Sequence, residues 1–75
     1  MTDDAYEICR YVKRYHEKNG YAPTLEMLNC DAAFADLLVN NGIIEVRPLY
    51  EGGRPIKVFL TDKGMRMATA ERRRQ

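Results

Sequence analysis

The side chains able to do chemistry in this 75-residue chain are few and scattered. One histidine, His16, and two cysteines, Cys9 and Cys30, are the only imidazole and thiol side chains. There is no C-x-x-C pair, and one histidine cannot complete a zinc set of useful spacing. Both cysteines sit among apolar residues. They read as buried, reduced thiols of a cytosolic protein, not as a disulfide scaffold. Glu26, Asp31 and Asp36 could act as paired carboxylates, with His16 as a base. Each has a simpler use. Asp31 caps a helix, Asp36 lies on a solvated helix face, and His16 sits near a helix end. No Gly-rich phosphate loop and no Ser/His/Asp cluster is present. The expectation is therefore no enzyme, no catalytic residue, no bound metal and no cofactor.

What remains is electrostatic chemistry. Residues 21–45 hold four acids (Glu26, Asp31, Asp36, Glu45) and no Lys or Arg. Residues 46–75 hold eight cations against three acids, although the whole chain carries only +1. Cations clustered in this way neutralise phosphates, which gives weak, salt-steep, largely sequence-independent binding. The candidates are Arg47, Arg54, Lys57, Arg72, Arg73 and Arg74. Asn40 is the candidate for reading a base edge. Such hairpins and tails are also often just solvated.

These residues need elements to position them. Ala5, Ile8, Cys9, Val12 and Tyr15 follow helical spacing and predict a helix over 4–19. Thr2, Asp3 and Asp4 cap it, and Gly20 ends it. Pro23 keeps Ala22 extended. Thr24 opens a short helix over 25–29, with Leu25 and Leu28 inward, helped by Met27. Asp31 caps a helix over 32–41, whose stripe is Ala33 or Phe34, Leu37 and Leu38. The alternation of Ile44 and Val46 with Glu45 and Arg47 begins a hairpin over 43–60. Gly52-Gly53 makes its turn and lets the tip approach a backbone. Ile56, Val58 and Leu60 face one way on the return strand; Lys57 and Phe59 face the other. Thr61-Asp62 caps a last helix over 62–72, with Met65, Met67 and Ala68 as its apolar positions.

The order is α+β: three helices, a two-stranded hairpin, then a C-terminal helix, in one small domain. That is the order of a winged helix, whose hairpin is the wing. A chain this short folds with little stability to spare and has no room for a large enclosed cavity. No apolar run approaches the roughly 18 residues of a membrane span. No apolar segment follows the acidic N-terminus, so no signal peptide is expected and the location expected is cytoplasmic.

Two segments carry a family likeness. His16 to Leu28, with Gly20, Tyr21, Pro23 and Thr24 at the turn, resembles the N-terminal DNA-binding domain of LexA-type repressors. Asn41-Gly42-Ile43-Ile44 and Leu60-Thr61-Asp62-Lys63-Gly64 resemble the steps into the wing and into the last helix of MarR- and PadR-like regulators. The resemblance implies a winged helix-turn-helix that binds double-stranded DNA and regulates transcription. It departs from those families between Thr24 and Gly42, where the helix-turn-helix is short and acidic. A recognition helix with two carboxylates and no cation repels a duplex.

Two functions follow. One is a small DNA-binding regulator that contacts the backbone mainly through the wing and the basic C-terminus. The other is a winged-helix protein-interaction module, or a homodimer, without DNA readout. Its surface would be the acidic helices or the aromatics Tyr6, Tyr11, Tyr50 and Phe59. In the first case, Arg54→Ala weakens binding to all sequences alike and flattens the salt slope by roughly one unit. A base-reading Asn40 behaves differently: Asn40→Ala then changes preference between sequences. Titrations of several duplexes over a salt series separate the two.

Overall fold

Asp4 opens the first helix with its carboxylate. Oδ1 accepts from the backbone N–H groups of Tyr6 at 2.9 Å and Glu7 at 3.4 Å. The helix, α1, spans Ala5–Asn19 and buries Ile8, Cys9 and Val12. Gly20 ends it at φ 81°, a left-handed conformation that costs glycine nothing. The computed structural model describes residues 4–48 and 55–70.

The chain then runs extended to Thr24. The segment Leu25–Leu28 is one turn of 3-10 helix rather than the α-helix expected over 25–29. Thr24 makes no side-chain cap there. It bridges Lys57 instead. Asp31 does cap the next helix, accepting from Phe34 N–H at 3.2 Å. That helix, α2, is Ala32–Asn40 and buries Ala35 and Leu38. Leu37, placed in the apolar stripe by spacing, is 54% exposed. The inward face of α2 is Phe34, Ala35 and Leu38.

The strands β1 (Ile44–Pro48) and β2 (Ile56–Leu60) pair antiparallel, with Ile44 opposite Leu60 and Val46 opposite Val58. Opposed residues share a face of a sheet. This register puts Ile44 and Val58, among the most deeply buried side chains, on the core face. Burying each such aliphatic side chain contributes about 1.5–3 kcal/mol. The other edge of β2 is also occupied. Val58 N–H donates to Pro23 O at 2.9 Å. Pro23, which has no N–H to offer, sits at the outer margin of the sheet, where a proline is tolerated.

The last helix, α3, spans Asp62–Thr69, shorter than the 62–72 expected. Ala70 is extended. The helix follows the hairpin in the chain and folds back onto α1. Gly64 and Ala68 are its buried residues, Met67 is half-buried, and Met65 is 43% exposed. Among the described residues the architecture is thus three α-helices with one two-stranded antiparallel sheet, an α+β arrangement. One apolar cluster joins Ile8, Cys9 and Val12 to Leu28, Leu38, Ile43, Ile44, Val58 and Ala68.

Thr61 fixes where α3 begins. Its hydroxyl bonds the carbonyls of Gly42 and Ile43, the latter at 3.0 Å, and accepts from Gly64 N–H at 3.1 Å. Its own N–H donates to Ile43 O at 3.2 Å. Lys63 Nζ adds a bond to Asn41 O at 3.1 Å. A Cβ on Gly64 would stand 2.1 Å from Ile43 O, so only glycine fits this approach. Gly64→Ala therefore lowers the free energy of unfolding by about 3 kcal/mol through overpacking against backbone. Thr61→Ala removes a cap and costs about 1 kcal/mol. Urea unfolding of both variants checks the ranking.

Candidate nucleic-acid interface

The outer face of the hairpin follows from the same register. Arg47 lies opposite Lys57, and Glu45 opposite Phe59. The two strand cations therefore share one face, away from the core. They are held differently. Arg47 lies over the Phe59 ring, 5.1 Å from its centroid, and its Nη2 donates to Glu45 Oε1 at 3.1 Å. Its side chain is still 63% exposed. An exposed pair of this kind contributes at most about 1 kcal/mol. A phosphate oxygen can displace the Glu45 carboxylate at little cost.

Lys57 is half-buried and committed to the fold. Its Nζ donates to Ala22 O at 3.0 Å and stands 5.1 Å from the Tyr21 ring centroid. Ala22 is buried, so its carbonyl depends on this donor. Lys57 ties the connector after α1 to β2 and has its charge only partly available.

Asn40 is the last residue of α2 and is exposed. It is not on the hairpin face. Its neighbours one turn back, Asp36 and Leu37, are exposed as well. No Lys or Arg occurs in α2, and Asp31 stands at its N-terminus. Of the candidate ligands, the structure brings Arg47 and Lys57 together and leaves Asn40 apart. Arg54, Arg72, Arg73 and Arg74 lie outside the described residues, as do Tyr50 and the Gly52-Gly53 turn.

Spacing alone does not show that Arg47 and Lys57 both rest on aromatic rings. The ring under Lys57 begins a series. Tyr21 and Tyr15 meet edge to face at 5.9 Å between centroids, and Tyr15 and Tyr11 follow at 5.9 Å. Desolvation, and then the neighbouring Tyr21 phenol, push the Tyr15 hydroxyl pKa up. The i, i+4 spacing of Tyr11 and Tyr15 is the one local signal for this series.

Among the described residues, no three His, Cys, Asp or Glu side chains are placed to hold a metal ion. Cys9 is fully buried and Cys30 half-buried, both as free thiols. Burial raises the pKa of each, Arg10 opposing it at Cys9 and Asp31 adding to it at Cys30, so neither is an activated nucleophile. No described helix is long and apolar enough to cross a membrane.

No family model, no curated protein and no solved structure matches the chain.

Arg47 and Lys57 should separate in a stability measurement. Lys57→Met leaves the buried Ala22 carbonyl without its donor and costs about 1–2 kcal/mol. Arg47→Met changes stability by no more than about 0.5 kcal/mol, as expected for an exposed ion pair. Thermal unfolding of the two variants reads this directly.

Proposed function

We propose that this chain is a winged-helix protein that binds duplex DNA through its phosphate backbone and acts in transcription regulation. The observation that carries the reading is Arg47. It is a mostly exposed guanidinium on the outer face of the hairpin, braced by Phe59 and paired with the exposed Glu45. A braced arginine loses less side-chain freedom on binding, and its planar fork suits phosphate oxygens. Lys57 adds positive potential beside it. Arg54, Arg72, Arg73 and Arg74 are the further cations this reading assigns to phosphate contact.

The acidic character of α2 supports a hairpin-led mode. A helix with Asp31 at its start and Asp36 on its exposed face gains nothing in a major groove lined by phosphates. Binding would then be weak, strongly salt-dependent and nearly indifferent to sequence.

The experiment is fluorescence anisotropy on mixed-sequence duplexes over a salt series. Arg47→Ala should weaken all duplexes alike and flatten the log–log salt slope by about 0.9, one phosphate's worth. Asp36→Asn should leave affinity within about twofold, because the charge it removes lies outside the contact. Strengthening by Asp36→Asn, with no effect of Arg47→Ala, would overturn the hairpin-led mode.

A second reading has its own observation. Leu37 and Val39, on the acidic α2, are 54% and 37% exposed. Apolar side chains beside Asp36 suit a protein partner better than a phosphate backbone. No duplex binding at low salt would make this interaction module, or self-association, the leading function. Sedimentation at high concentration then tests the homodimer.

A further inference from the structure

A surface running along α1 from the Lys57 end of the hairpin face carries a second assignment. Tyr11, Tyr15 and Tyr21 form a line of rings at 5.9 Å steps, from the middle of α1 to the connector beyond it. Tyr11 is 38% exposed and Tyr21 is 54% exposed. Beside them is an open hollow of about 430 Å³ lined by Tyr11, Arg14, Tyr15, Lys18 and Asn19. Two of the five lining residues are cations and none is a carboxylate. Arg14 and Lys18 are one helical turn apart on one face, both exposed. Glu17, the acid between them in the chain, is paired with Lys13 at 2.6 Å.

We propose that this tyrosine line and its two flanking cations bind single-stranded nucleic acid, with unpaired bases stacking on Tyr11 and Tyr21 and phosphates on Arg14 and Lys18. The chemistry selects the ligand. Exposed aromatic rings in an electropositive hollow are what a single strand uses, because every base has a π-face and every step has a phosphate. A duplex keeps its bases stacked internally and cannot use the rings. A protein partner would use the tyrosines and Arg14 too, so an acidic polypeptide is the competing ligand in the test. The line reaches the hairpin only at Tyr21, beside Lys57, and it does not use Arg47, so Arg47→Ala distinguishes its failure from that of the duplex reading.

The probe is a labelled oligothymidylate, followed by anisotropy and by tyrosine fluorescence. Wild type should bind it at low salt with quenching of the tyrosine emission. Tyr11→Leu should weaken it roughly tenfold, within the range for loss of one base–aromatic stack, and Tyr11→Phe should restore it. Arg14→Gln should flatten the salt slope by about 0.7, the single-strand value for one phosphate. Arg47→Ala should leave single-strand affinity within about twofold, since that charge lies off the site. Three results would overturn the site: no binding of the oligothymidylate, unchanged binding by Tyr11→Leu, or equal binding of polyglutamate with the same dependence on Tyr11. The last would make the surface a dock for an acidic protein. If the single strand fails while the duplex binds through Arg47, only this site falls.

Discussion

The carbonyl of Ile43 is the point on which the arrangement depends. It accepts from the N–H and the hydroxyl of Thr61, and it occupies the space a side chain on Gly64 would need. Three elements meet there: the end of α2, the start of β1 and the start of α3. Fixing them together sets the base of the hairpin at the Ile44–Leu60 pair. It also aims α3 back across α1, so Ala68 can join Ile8, Cys9 and Val12 in one core. A chain this short has little other apolar area with which to make that turn. The Leu60–Gly64 stretch therefore has a physical meaning apart from any likeness: a threonine that caps and clamps, followed by a glycine where backbone meets backbone.

The second constraint lies at the other edge of β2. Val58 N–H on the Pro23 carbonyl and Lys57 on the Ala22 carbonyl hold the connector after α1 against the sheet. This divides the cations by role. Lys57 and Lys63 spend donors on backbone carbonyls at chain junctions. Lys13 is paired within its own helix. Arg14, Lys18 and Arg47 are exposed beside aromatic rings. The near-neutral net charge hides this division, and binding chemistry depends on the exposed group.

Much of the fold is legible in the sequence because it is set locally. Asp4, Gly20, Asp31 and Thr61 act as the helix signals they look like. The alternation through Ile44–Arg47 and Ile56–Leu60 gives the correct faces of the hairpin. The departures occur where a distant contact overrides a local preference. Thr24 meets Lys57 across the fold instead of capping, and Leu25–Leu28 closes as a single 3-10 turn. Leu37 fits the helical stripe, yet the core reaches α2 only at Phe34, Ala35 and Leu38. The site is less legible for the same reason. Lys57 looks like a free cation until Ala22 and Tyr21 are brought beneath it. Tyr21 joins Tyr15 only because the chain turns at Gly20.

The central claim is that phosphate is met by the outer face of the hairpin and not by α2. Amide chemical-shift mapping with a mixed-sequence duplex, at low and then high salt, tests it most directly. The account predicts shifts centred on Arg47, Lys57 and Phe59, lost as salt is raised, with Ala33, Asp36 and Leu37 unmoved. Shifts centred on Ala33–Asn40 that persist at high salt would contradict it.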